Sequence, residues 1–252
     1  MTSSPGAWDV FVPYSALHAL AVIVCAVLVA APSLLGHRLH ANSEAILRCS
    51  LAALAVGYWL AYNIWWNWLG LDLRTGLSLQ LCDFNGLMIA PLALITGWHW
   101  ARAPLYFWTA ALTLQAFVQP ALSAGPASLV FWAFWTAHTI IAACAAYDVA
   151  VLCFRPSWND LGRALLVSAA YVALTVPVNH WLGSNYGYIG NPAPDIAVPP
   201  FVLMLGPWPQ RAVILVVLAV LGFVVVLLPW RLFAPPAKLH APGMRGWKPR
   251  SP

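Results

Sequence analysis

The chain has 252 residues, of which 62% are hydrophobic and 8% charged, and carries a net charge of +5 from 12 basic and 7 acidic residues. A soluble domain has about a quarter charged residues, so this composition excludes a water-soluble fold. The positive balance then reads as membrane orientation and lipid attraction, because no basic stripe with interleaved aromatics lies outside the apolar runs.

The start, MTSSPGAWDVFVPYS, has no Lys or Arg and contains Asp9. It lacks the positive region of a signal peptide, so residues 1–12 are expected outside and the first apolar run is expected to be retained. A helix needs about 20 apolar residues to cross the hydrocarbon. Seven runs meet that need, at about 13–35, 47–69, 77–97, 104–123, 128–153, 161–182 and 210–233. Between the last two lies GSNYGYIGNPAPDIAVPPFVLMLGPWPQ, too rich in Pro and Gly to span as a helix. It is expected to fold back against the bundle as an outer loop, 183–209. An eighth, interrupted span, with 195–208 re-entrant, is the alternative.

The expected fold class is therefore all-α: one polytopic transmembrane helix bundle over 13–233, followed by a basic, disordered cytoplasmic tail at 234–252. Arg38, Arg48, Arg102, Arg155, Arg163, Arg231, Lys238, Arg245, Lys248 and Arg250 fall on one side of seven spans, and Arg74 and Arg211 on the other. Basic loops stay cytoplasmic, which predicts the N-terminus out and the C-terminus in. Trp65, Trp66, Trp68 and Trp208 suit an outer aromatic belt. No internal repeat is visible, which weakens an inverted-repeat transporter.

Polar groups inside spans are expensive unless they line a cavity or find partners. The outer half holds His18, Asn63, Asn67, Gln80, Cys82, Asp83, Asn85, Gln115, Gln119, His138, Asn179 and His180, and the loop above adds Asn185, Tyr186 and Tyr188. The inner half has little beyond Tyr147 and Asp148, read as interfacial. A continuous ion path needs polar groups at all depths. A cavity open to the outer leaflet needs them on one side, and the pattern favours that cavity.

Cys82 and His138 are the two residues there able to do covalent chemistry. At 1.5 Å per residue they lie about 8 and 14 Å deep. A thiol beside an imidazole becomes a strong nucleophile and leaves an acid to protonate the leaving group. Packing is the plainer reading of any membrane cysteine, and the other four, at 25, 49, 144 and 153, are expected to pack. No CxxC pair indicates zinc or a disulfide framework, and no HExxH, GxSxG or phosphate-cradling glycine loop is present. No metal or cofactor is implied. Asp83 projects about 100° from Cys82 and reads as an orienting or structural group. Asn63, Gln80, Gln115 and Gln119 read either as inter-helical hydrogen bonds or as headgroup contacts. His180 is a further headgroup candidate, His18 a competing base and His99 an interfacial anchor.

The segment LSLQLCDFNGLMIAPLAL resembles the third-span block of the YwaF-like, or transmembrane protein 164, integral membrane family. LGSNYGYIGNPA looks like its GTNYGYL block, LGPWPQR is similar to its GPWPWY block, and AFWTAHTII corresponds to its histidine-bearing span. Order and spacing agree from about residue 45 to 230. The resemblance implies a membrane acyltransferase moving fatty acyl groups onto lysophospholipid-type acceptors, with Cys82 and His138 catalytic. A more distant likeness is to androgen-induced-gene-type lipid hydrolases, which place Thr where Cys82 stands. Gln80 departs from the usual His, Ser78 from Pro, and Gly190-Asn191-Pro192 from a basic residue and Pro. The expectation is a thiol-dependent lipid acyltransferase or acyl-ester hydrolase of the cell membrane. Cys82 and His138 would be catalytic, and Asn63, Gln80, Asp83, Gln115, Gln119, His180, Asn185 and Tyr186 would line the cavity. Its partners would be membrane phospholipids or lysophospholipids and no nucleic acid. A non-enzymatic lipid or small-molecule binder or transporter is the alternative.

Overall fold

In a computed structural model, residues 8–68 and 70–232 are described. The basic tail at 234–252 and residues 1–7 of the N-terminal segment lie outside them. The described residues are α-helical, with one isolated β-bridge between Val10 and Ala124.

The main elements are α1 (Ala16–Gly36), α2 (Ala41–Asn67), α3 (Leu81–Thr96), α4 (residues 99–118), α5 (Leu129–Ala150), α6 (Trp158–Leu182) and α7 (Gln210–Leu232). Five of them (α1, α2, α5, α6 and α7) are long and apolar enough to cross a membrane. The other two are broken. In α3 the α-helical turn Leu81–Phe84 passes into a π-helical turn, Asn85–Ile89, before Ala90–Thr96. In α4 the π turn is Thr109–Thr113. Proline lacks an amide hydrogen and crowds the carbonyl four residues back. The π turn of α3 places Pro91 at the start of a fresh α-helical segment, where that loss costs least.

α3, α4 and α5 form the packed centre. α1 lies against α5, α2 against α3 and α5, α6 against α4, and α7 against α4 and α6. The core runs through Leu94, Leu105, Phe107, Trp108, Cys144, Tyr147 and Phe154, all buried. Large exposed side chains such as Ile23, Leu54, Leu166 and Val217 face outward. An apolar exterior around a packed apolar interior is the signature of a lipid-solvated bundle.

One end of the bundle gathers the basic residues. Arg48 donates to the Leu94 carbonyl at 2.7 Å, and Arg155 to that of Val149 at 2.8 Å. Arg231 donates to the carbonyl of Pro156. Arg102 donates through Nε to both carboxylate oxygens of Asp148, at 2.9 and 3.1 Å, and stacks over Phe154. Tyr147 is sealed, and its hydroxyl donates to Glu44 at 2.9 Å. Tyr147 and Asp148, read from sequence as interfacial, are buried and link helices through these bonds. His99 is tied to Asp160 at 2.8 Å.

Candidate functional site

The opposite end carries the 183–209 segment, and its docking explains two sequence blocks at once. Asn179, in the last turn of α6, accepts through Oδ1 from the Tyr186 amide and the Ser184 hydroxyl, each at 2.8 Å. Its Nδ2 donates to the Tyr186 carbonyl at 2.9 Å. One amide thereby folds the chain back on itself. The Tyr186 hydroxyl then reaches 2.8 Å to the Leu73 carbonyl and accepts from the Leu77 amide at 3.0 Å. Gly187 has φ +67°, and a Cβ there would press on the Tyr171 hydroxyl at 2.7 Å. Only glycine combines that left-handed backbone with that approach. Its amide donates to Gln80 Oε1 at 3.0 Å, and the Tyr171 hydroxyl donates to the Leu79 carbonyl at 2.8 Å. The NYGY turn is therefore bolted onto the residues that begin α3, directly before Cys82.

Cys82 lies in the first turn of α3, half-buried, against the cluster of Trp59, Ala137 and Ile141. Its sulfur is 3.9 Å from the Thr113 hydroxyl. One turn on, Asn85 donates to Thr109 at 3.2 Å. The π-bearing stretches of α3 and α4 are thus cross-linked by two polar rungs, a placement often met at functional sites. Gly86 has no side chain, and the Trp59 indole fills the space a Cβ would take. The Trp59 Nε1 and Asn85 Oδ1 atoms are sealed without partners. Asp83 turns back to accept from the Gln80 amide, the reciprocal half of a helix cap. Tyr171 and Tyr188 lie within electrostatic range of both Cys82 and Asp83. Tyr188 has φ +61°, a strained value for a bulky residue. Burial, then Cys82 and Asp83, push its phenol up to about 12, so at neutral pH it offers a hydroxyl donor.

His138 does not hydrogen-bond Cys82. Its Nδ1 faces the Phe134 carbonyl at 2.7 Å, and its ring is flanked by Phe134 and Phe117. A nitrogen facing a carbonyl must carry the proton, so Nε2 keeps its lone pair. Phe117 lies four residues beyond Thr113, so His138 touches the turn of α4 next to the one that meets Cys82, while its neighbours Ala137 and Ile141 pack in the cluster that receives the thiol.

The remaining sequence candidates divide. Gln80 and Asp83 border Cys82. Asn63 holds Ser78 at 2.6 Å and the Trp59 carbonyl at 2.7 Å, bracing the loop before α3. Asn185 and Tyr186 are buried inside the docked loop. Gln115, Gln119 and His180 are exposed on the helix exterior. His18 has both ring nitrogens occupied, by the Tyr14 amide and the Phe117 carbonyl, which leaves it no lone pair for a base. Thr113 and Tyr171 were not singled out from sequence. Thr113 sits in TAALTLQ with no motif around it, while Tyr171 lacks any signal beyond a hydroxyl in an apolar run. Two open surface grooves, about 440 and 460 Å³, run along the exterior of α2 past Cys49 and Ala53 and do not include Cys82. The described residues contain no group of three metal-ligating side chains.

A clasp closes the loop from above. Arg74 holds Asp72 at 3.1 Å and Asp195 at 2.7 Å. The Arg74 side chain, then its backbone amide, keep the Asp72 carboxyl below its ordinary 3.8. A depressed carboxyl contributes stability above its unfolded value and loses it as pH falls through the folded one. The Asp72–Arg74 half of the clasp should therefore be indifferent to pH across the neutral range and weaken only below about 3.8. Exposed pairs are weak, so Arg74→Gln should speed amide exchange in 190–200 only a few-fold at neutral pH. Hydrogen exchange read by mass spectrometry checks both.

Apolar helices and a largely apolar exterior around a packed core define a multi-pass membrane protein. The TMEM164 family model matches residues 12–227, and the chain belongs to that family. No curated protein and no solved structure matches it.

Proposed function

We propose that this protein is a membrane-embedded, thiol-dependent lipid acyltransferase or acyl-ester hydrolase. The observation that supports it best is the site of Cys82: a half-buried thiol at a broken helix start, beneath a docked loop, beside Thr113, Tyr171 and Tyr188. Membership of the TMEM164 family is consistent with it. In this reading all seven helices cross the cell membrane, α3 reaching the outer face through the loop-anchored residues that precede Leu81. The basic end is cytoplasmic, the N-terminus and the 183–209 loop lie outside, and the acyl donor is a phospholipid.

Cys82 would lose its proton to His138 Nε2 through a water or the substrate itself. The thiolate attacks the ester carbonyl, the C–O bond breaks, and the leaving alcohol takes the imidazolium proton. A second alcohol, or water, then attacks the thioester while His138 accepts its proton. The free thiol returns. Tyr188, a protonated phenol within electrostatic range of Cys82, would serve as a hydroxyl donor for the oxyanion.

Purified protein incubated with defined phospholipids, with products read by mass spectrometry, tests this. Cys82→Ser should reduce turnover by orders of magnitude with the elution profile unchanged, and a covalent acyl adduct should form on wild type alone. Undiminished turnover in Cys82→Ser refutes the reading. A second reading, a non-enzymatic lipid or small-molecule binder, draws on the aromatic wrapping of His138 and the lack of a Cys82–His138 bond. It predicts lipid retention without product.

A further inference from the structure

The two basic residues at the loop end are treated differently. Arg74 meets two carboxylates, Asp72 and Asp195. Arg211, in the first turn of α7, is 7% exposed and forms no ion pair among the described residues. Its Nη2 donates to the Gly190 carbonyl at 3.0 Å, while Nε is sealed with no acceptor. Asn185, 5% exposed, meets the same residue from its other side. Its Oδ1 accepts from the Gly190 amide at 3.2 Å, and its Nδ2 is likewise sealed and unsatisfied.

A guanidinium withdrawn from water is costly unless it is paired, and sealed donors are normally satisfied. Here one full positive charge and two sealed, unused donor nitrogens bracket a single glycine under the loop. Gly190 itself is packed against the Ser184 carbonyl and Asn179, so the backbone between the two donors is held in place. Arg211 Nη1 makes no hydrogen bond either and is not among the sealed atoms, so an incoming group would meet the guanidinium through that nitrogen.

We propose that Arg211 and Asn185 form a recognition site for an anionic group, a phosphate or carboxylate. The acceptor oxygens the site lacks are what such a group supplies, and a planar guanidinium beside an amide donor suits them. That this group is the headgroup of the reacting lipid rests on the acyl-ester reading above; the anion site itself does not.

The full-length chain in nanodiscs of phosphatidylcholine with phosphatidylglycerol tests the proposal, with bound lipid read by native mass spectrometry. Inorganic phosphate, added to a thermal-unfolding assay, is the second arm. Wild type should retain phosphatidylglycerol over phosphatidylcholine by about tenfold, and Arg211→Gln should lose most of that preference. A phosphate-induced rise in melting temperature that Arg211→Gln abolishes assigns the site to a free anion, and an effect in the lipid arm alone assigns it to a headgroup. Should Arg211→Gln fail to fold, Asn185→Asp decides, because it supplies the missing carboxylate internally and should displace the ligand. An unchanged lipid preference in the variant that folds, with no phosphate shift in wild type, overturns the site. Neither arm needs turnover, so an inactive Cys82 would leave the result standing.

Discussion

Asn179→Ala is expected to release the NYGY turn and destabilise the protein by roughly 2–5 kcal/mol. Three hydrogen bonds converge on this one side chain. Removing it strands the amide and carbonyl of Tyr186, a residue 1% exposed. Each stranded buried group costs about 1–3 kcal/mol, more than the net value of the bond it lost. Asn179→Asp keeps both acceptor bonds, loses the donor and buries a charge, so it should be no milder than alanine unless the new carboxyl stays protonated. Amide exchange over 184–190 is the measurement that reports this directly. Continued slow exchange of the Tyr186 amide in Asn179→Ala would mean that Tyr171 and Gln80 suffice to hold the loop.

The second large effect belongs to the other end of the bundle. Arg102→Met should cost about 3–5 kcal/mol, because it leaves Asp148, whose side chain is 2% exposed, with a buried and unpaired charge. The double variant Arg102→Met with Asp148→Leu should recover most of that loss, since replacing a buried pair by apolar groups of similar volume is often neutral. Reversible unfolding in mixed micelles distinguishes the cases. If the double variant is as damaged as the single one, the Arg102 contacts to the Leu152 carbonyl and the Phe154 ring matter more than the ion pair.

The lengths of five helices and the clustering of basic residues at one end were readable because lipid demands about 20 apolar residues of a crossing helix and leaves its charges at the ends. Four of the five long helices fall within a few residues of their apolar runs, and α2 begins at Ala41, earlier than its run at about 47. The π turns of α3 and α4 were not readable, because one extra residue per turn leaves an apolar run equally apolar. The same blindness hid Thr113, which faces Cys82 only by virtue of how two helices cross. The polar residues of the basic end were visible, but Tyr147 and Asp148 were read by depth alone. Their burial depends on Glu44 and Arg102, which lie about 46 to 103 residues away in sequence. At the candidate site, composition drew attention to polar residues without saying which way they point. Gln115 and His180 face out, Tyr186 pins a loop, and Gln80 accepts from Gly187.

The docking of residues 186 and 187 onto residues 73 to 80 also bears on how the protein is made. Leu81–Thr96 spans about 24 Å at 1.5 Å per residue, short of a ~30 Å bilayer, and its first turn is anchored by a segment translated a hundred residues later. A nascent chain halted after α6 would contain every residue of α3 and none of those anchors. The thiol would reach its final depth only when the ribosome had delivered the last loop, which makes maturation of the site a late event in biogenesis.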